Sequence, residues 1–306
     1  MKSITIATRK SRLALWQSEH VADGLRRHWP ELPVELLPMS TRGDEVLDRS
    51  LAEIGGKGLF LKELEKALLD GRADIAVHSL KDVPAEQPDG LELGVYLPRA
   101  NPADLWISSS ATPIASMPEG SRVGSSSLRR ISQLRAIRPD LETVALRGNV
   151  ETRMSAVSES RVDATVLAAA GLERLDIVPA GAIAMASPAW LPAPGQGIIV
   201  IQHRAGDSRT AELIGCLDCP RTRRQALAER EIVRALGGDC TMPLAAFAEI
   251  SGSEMTLMGR LGDHDGALID AQARGRVDQA IDLGAEVAGA LLERGGRELL
   301  ARLNPS

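Results

Sequence analysis

Lys81 and Asp82 stand side by side in His78-Ser79-Leu80-Lys81-Asp82. An aspartate, with an ordinary pKa of about 3.9, is ionised at neutral pH unless desolvated, and an adjacent ammonium favours that state. A surface ion pair is the bland alternative and contributes little. Other residues suit anions. Ser125-Ser126-Ser127 run into Leu128-Arg129-Arg130, and Arg147 follows in Leu146-Arg147-Gly148-Asn149. Serines at a helix start, where free N–H groups and the positive dipole end gather, together with several guanidiniums, suit a ligand with several carboxylates or phosphates. Helix capping and solvated arginines are the alternative, and for Ser125 alone the better one. Arg9 and Ser11 form a smaller counterpart near the start of the chain. A lone carboxylate in such a cleft repels an anionic ligand unless the reaction passes through a cation.

The three cysteines are Cys216, Cys219 and Cys240. Cys240 follows Gly237-Gly238-Asp239, a loop-like context that leaves a thiol accessible for covalent work; composition alone favours a free buried thiol. Cys216-Leu217-Asp218-Cys219 has the spacing of a metal or redox pair, but one such pair without a second is a weak signal. Two ordinary thiols are expected there, with a zinc site completed by His203 as the rival.

These residues need elements to hold them. Residues 3–7 alternate as a strand, the turn 8–11 follows, and a helix runs to about Trp29. Val34–Met39 reads as a strand, residues 40–58 as a long glycine-containing loop that suits a lid, and 59–69 as an amphipathic helix. The strand-like run 72–77 delivers Lys81 and Asp82 at its carboxyl end. Strands alternating with helices imply a parallel, doubly wound sheet, which binds ligands outside the carboxyl ends of its strands. Residues 98–102 read as a hinge into a second unit, with strands at 122–124, 144–146 and 161–166 and a helix opening at Ser125. Arg161-Val162-Asp163 echoes Arg72-Ala73-Asp74. Residues 192–197 lead into an apolar strand at 198–201, a crossing back to the first unit. A charged helix over 221–236, three strand-like stretches (245–250, 255–261, 267–273) and a helix from about Gln279 complete the chain.

With 306 residues, the chain exceeds one ordinary core. The expected division is 1–98 with 198–216 as a first lobe, 103–192 as a second, and 220–306 as a C-terminal domain. A net charge of −5 and only seven aromatic residues argue against nucleic-acid binding. No apolar run approaches the ~20 residues that span a membrane. The chain opens without a secretory pattern and has few cysteines, so a cytoplasmic location is expected. The cations are 30 Arg and 6 Lys, a bias that genomic composition can produce.

Residues 78–84 (His-Ser-Leu-Lys-Asp-Val-Pro), 124–130 (Gly-Ser-Ser-Ser-Leu-Arg-Arg), 146–149 (Leu-Arg-Gly-Asn) and 55–60 (Gly-Gly-Lys-Gly-Leu-Phe) together resemble the porphobilinogen deaminases (hydroxymethylbilane synthases), in matching order from Ile4 to the end of the chain. The resemblance implies an α/β protein of two periplasmic-binding-protein-like doubly wound lobes plus a smaller C-terminal α/β domain, working as a cytoplasmic monomer. It implies a dipyrromethane cofactor in thioether linkage to Cys240. Four porphobilinogen molecules condense head to tail, each releasing ammonia, and hydrolysis frees hydroxymethylbilane. Asp82 is then the catalytic residue, stabilising a cationic azafulvene. Lys81, Asp82, Ser127, Arg129, Arg130 and Gln196 hold the cofactor, Arg9, Ser11, Arg147, Arg153 and Arg174 meet the substrate, and Lys57 lies in the lid; no metal is required. Ser125 stands where threonine is common, Glu53 replaces a lysine of some relatives and is given no role, and Gly-Gly-Asp-Cys replaces the frequent Glu-Gly-Gly-Cys. The rival from another class is a non-catalytic polycarboxylate-binding protein, which explains the arginines but neither Cys240 nor Asp82.

Overall fold

The computed structural model describes residues 3–40, 61–238 and 242–303. β1 (Ile4–Arg9) enters α1 (Arg12–His28) through Ser11, whose hydroxyl accepts from the Ala14 N–H at 3.3 Å, the usual service of a serine at a helix start. Then come β2 (Val34–Met39), α2 (Lys62–Leu69), β3 (Ile75–Ser79), a single 3-10 turn (Leu80–Asp82) and β4 (Leu91–Tyr96). The chain crosses to β5 (Asp104–Ser108), β6 (Arg122–Gly124), α3 (Leu128–Ile137), β7 (Glu142–Val144), α4 (Val150–Ser158), β8 (Ala164–Ala168), α5 (Ala169–Glu173) and β9 (Ile183–Met185). It returns as β10 (Ile199–Arg204) and α6 (Ser208–Gly215).

The two five-stranded sheets share one plan. The first runs β2-β1-β3-β10-β4 and the second β7-β6-β8-β5-β9. In each, three parallel strands are followed by an antiparallel strand, β10 or β5, that enters directly from the other sheet. Both faces of the first sheet are covered. Ile4, Ile6, Ile75 and Val77 pack under α1, while Ala7 and Ala76 pack under Leu64 and Leu68 of α2. Strands buried on both faces read as nearly continuous apolar runs. The fold is therefore α/β, with doubly wound lobes as implied by the sequence.

The echo between Arg72-Ala73-Asp74 and Arg161-Val162-Asp163 is structural. The Asp74 carboxylate accepts from the Thr5 N–H at 2.8 Å, and that of Asp163 from the Arg122 N–H at 2.7 Å. Each aspartate thus ties the approach to the third parallel strand to the start of the first, at the same place in both sheets.

The third unit is α7 (Pro220–Ala235), the antiparallel meander β11 (Leu244–Ser251), β12 (Glu254–Gly262) and β13 (Leu268–Arg276), then α8 (Ala280–Leu291) and α9 (Arg297–Leu303). Ile232, Leu257, Val287 and Leu291 lie in its core. α7 also carries Glu229, fully buried, which pairs with Arg99 at 2.5 Å and accepts from the Gly195 N–H (2.6 Å) and the Ala248 N–H (2.8 Å). Arg99 lies at the first crossing and Gly195 in the second, so one carboxylate of the third unit holds both passages between the lobes.

Some elements differ from the sequence reading. β4, β5 and β9 were not anticipated. The alternation of β4 breaks at Gly94, where an added Cβ would lie 2.3 Å from His203 Nε2, so the ring of β10 fills the place of a side chain. The strand expected at 144–146 ends earlier, at Val144. Leu146 O instead accepts from the Ser126 hydroxyl at 3.2 Å, and the chain turns away from the sheet.

Candidate active site

β3 ends at Ser79, and the turn carrying Lys81 and Asp82 is fixed at its start. Leu80 is buried and its N–H donates to Ile198 O at 3.0 Å; Val83 N–H closes the turn on Leu80 O at 3.0 Å. Gly195, with φ +74°, packs so closely on Leu80 that a Cβ would come within 2.7 Å of its Cγ. Asp82 is exposed and Lys81 half-buried.

Two hollows flank this turn. Arg9, Ser11, Gln17, His78 and Asp82 line one of ≈ 70 Å³. Lys81, Ser127, Arg129, Arg230 and Met242 line another of ≈ 80 Å³, which all three units share. Burial pushes the Lys81 ammonium down to about 8, with Asp82 acting in the opposite direction. Ser127 stands at the start of α3 without a capping bond from its side chain. Its neighbours are engaged, since Ser125 Oγ accepts from the Ser127 N–H at 3.2 Å and Ser126 bonds Leu146. The helix itself opens at Leu128, three residues after the expected start at Ser125.

Arg153 lies on the second lobe within electrostatic reach of this turn, with Arg147 near it. Arg153 Nε donates to Gly148 O at 2.9 Å. Burial lowers its pKa to about 10; Arg130 and Arg147 push the same way and Asp82 pushes back. Asp82 thus lies within electrostatic reach of a guanidinium from the opposite lobe.

Arg129 and Arg130 are more deeply placed than the sequence suggested. Asp104, at the start of β5 and fully buried, meets Arg130 at 2.6 Å and Arg129 at 2.9 Å, and accepts from Trp190 Nε1 at 2.9 Å. Burial alone would raise the Asp104 pKa, but the two guanidiniums outweigh it and hold the group far below the usual carboxylate range. Sequence reasoning missed Asp104. The available signal was a charge opening the apolar run Leu105-Trp106-Ile107, which demands a partner if the run is buried.

Gln196 and Arg174 sit apart from both hollows. Gln196 is fully buried and donates to Pro102 O (2.8 Å) and Asp104 Oδ1 (3.0 Å), tying the two crossings together. Arg174 donates to Gly197 O at 2.7 Å, and its guanidinium carbon lies 5.9 Å from the Trp16 ring of α1. Both stand at the lobe junction, where an Arg12–Glu151 pair at 2.7 Å also joins the lobes.

His78 was not singled out from the sequence. Its Nε2 lies 3.1 Å from Gln202 Oε1, while the Gln202 amide donates to Gln87 Oε1 at 3.0 Å. Burial pushes the imidazole down to about 4, so it is neutral at pH 7. His203, the proposed third zinc ligand, turns its Nδ1 toward Arg204 O at 2.8 Å within β10. Cys216 and Cys219 are free thiols at the ends of α6 and α7. Cys240 and Lys57 lie outside the described residues, as do Glu53 and all but Ser40 of the loop expected at 40–58; Met242, two residues beyond Cys240, lines the Lys81 hollow.

Two family models match. Residues 4–212 match "Porphobilinogen deaminase, dipyromethane cofactor binding domain", and residues 224–293 match "Porphobilinogen deaminase, C-terminal domain". A porphobilinogen deaminase of Xanthomonas campestris pv. campestris (strain B100) is 54% identical over 304 residues, covering 99% of this chain and 100% of that protein. One from Stenotrophomonas maltophilia (strain K279a) is 52% identical over 301 residues, covering 98% and 99%. Among solved structures, the periplasmic VFT2 domain of BvgS from Bordetella pertussis aligns with a TM-score of 0.43 at 17% identity, covering 70% of this chain and 86% of that domain.

Proposed function

Because the chain belongs to the porphobilinogen deaminase family, we propose that its cleft joins four porphobilinogen molecules head to tail into hydroxymethylbilane, releasing one ammonia for each. The observation that carries this reading is Asp82, an exposed carboxylate at a strand's carboxyl end among arginines of both lobes. A polycarboxylate receptor needs the arginines but is opposed by Asp82.

The residues suit a dipyrromethane. Two pyrroles, each with an acetate and a propionate, present four carboxylates. Lys81, Ser127 and Arg129 line the hollow shared by all three units, and Arg130 Nε is a buried donor with no partner among the described residues. When bound, the cofactor supplies the pyrrole carbon to which the first substrate is joined. Cys240 is the residue that would hold it. Arg9, Arg147 and Arg153 orient the substrate through its carboxylates, with Ser11 beside Arg9. Asp82 faces the positive charge left on the substrate as ammonia departs, an interaction that strengthens toward the transition state. Gln196 and Arg174 serve these groups from behind, by fixing the crossings and the lobe contact.

The working form in this reading is a cytoplasmic monomer that does not bind nucleic acid. A net charge of −5 supports the last point, and no described helix is long and apolar enough to cross a membrane.

Intact mass tests the covalent part. The native chain should weigh one dipyrromethane more than its sequence, with the addition mapped to Cys240, and Cys240→Ser should carry none. An unmodified Cys240 in active enzyme would overturn it. Arg147→Leu should lower the rate of chain growth about 10- to 100-fold, the worth of one charge-assisted hydrogen bond of about 1.5–3 kcal/mol. Single-turnover kinetics reads this directly, and a near-normal rate would mean that Arg147 faces solvent during the reaction.

A further inference from the structure

Arg230 projects from α7, the helix that leads toward Cys240. Its guanidinium donates to three successive carbonyls, Val83 O at 3.0 Å, Pro84 O at 2.6 Å and Ala85 O at 2.9 Å. These carbonyls belong to the stretch that leaves the Lys81–Asp82 turn. The entering side is already pinned to the second crossing through Leu80 N–H and Ile198 O. Arg230 therefore grips the leaving side, and it does so from another structural unit.

We propose that Arg230 is a positioning residue for the reaction. Its fork fixes the Lys81–Asp82 turn only when the third unit, which carries the cofactor cysteine, is docked against the first lobe. The proposal rests on the reading of Asp82 given above.

A planar fork with several fixed donors can serve three carbonyls at once. An ammonium has three donors on a single nitrogen and cannot span the same row, so lysine is not a substitute. Pro84 has no N–H of its own, which limits the ways in which the stretch could hold itself. Without the fork, residues 83–85 keep the Gln87 amide on Pro84 O at 3.0 Å but lose the three bonds to the third unit, and Asp82 samples positions away from the reacting centre. Displacement of a catalytic group by about 1 Å can cost on the order of 100-fold in rate. Arg9, Arg147 and Arg153 lie on the lobes and keep their places, so substrate affinity should change far less.

The test uses cofactor-loaded enzyme with Arg230→Lys and Arg230→Ala. Intact mass and thermal melting establish loading and folding. kcat and KM for porphobilinogen are then measured, with hydrogen exchange of the peptide spanning residues 79–86. The expected result is a kcat lowered about 10- to 100-fold in both variants. KM should stay within about threefold, exchange in residues 80–86 should accelerate, and millimolar guanidinium should partly restore Arg230→Ala. In the Asp82→Asn background, loss of Arg230 should add little, because residues acting through one another are not additive.

Unchanged kcat in Arg230→Lys would overturn the proposal. So would a raised KM with kcat kept, which would make Arg230 a substrate contact. Lowered melting without altered exchange in residues 80–86 would also overturn it, leaving only a docking role. If Arg230→Ala fails to fold, Arg230→Lys alone decides the matter. Asp82→Asn in the otherwise unaltered chain tests the underlying reading separately: normal turnover there would remove that reading whatever the Arg230 variants do.

Discussion

Asp82→Asn should lower the rate of ammonia release by about 100- to 1,000-fold, the usual cost of deleting one preorganised electrostatic contact to a developing charge. The substitution keeps size and shape, and Asp82 is exposed at the end of a turn whose anchors are Leu80 and Val83, so folding should be unaffected. Binding of porphobilinogen should weaken little, since removing a negative charge does not penalise a carboxylate ligand. An interaction present mainly in the transition state lowers kcat and kcat/KM together and leaves KM nearly unchanged. The variant should still accept a dipyrromethane on Cys240 when supplied with preassembled tetrapyrrole. Intact mass followed by single-turnover ammonia release checks both points. Turnover within a few-fold of the parent would reduce Asp82 to a salt-bridge residue.

The second large effect is on stability. Asp104→Ala should destabilise the chain by about 3–5 kcal/mol, the cost of leaving buried charge without its partner. Two guanidiniums depend on this carboxylate, and Gln196 and Trp190 also donate to it. The sign with pH follows from its depressed pKa. The stabilisation is fully present above the unfolded value of about 4 and is lost progressively as pH falls toward the much lower folded value. Urea denaturation of parent and variant between pH 7 and pH 3 should therefore show the difference narrowing as acid is added. A loss below about 1 kcal/mol at pH 7, within the range of an ordinary surface pair, would contradict the account.

The sequence showed the parallel strands and the meander clearly because their side-chain patterns are local. β1 and β3 are apolar on both faces, and α7 ends near the expected residue. It did not show β5, because Asp104 interrupts an otherwise apolar run, and its partners lie more than twenty residues away on α3. β4 was hidden by Gly94, whose reason is the ring of His203 more than a hundred residues later. At the site, the strand-end rule put Arg9 at the end of β1 and Asp82 in the turn that follows β3, whereas Arg147 lies beyond a strand that stops at Val144. It could not tell that Arg129 and Arg130 share a buried carboxylate, or that Arg174 and Gln196 lie at the junction and not in a hollow. Those distinctions depend on what the rest of the chain brings to each side chain.

Glu229 sets how the molecule can move. Its carboxylate holds Arg99, Gly195 and Ala248 together, so the two ribbons joining the lobes share one axle with the third unit. A receptor hinged only by its ribbons can open like a book. Here, spreading the covers means turning all three bodies about a dry, charged pin. A cleft that widened at its mouth to admit a lengthening chain without breaking these bonds would keep both ribbons tied to α7.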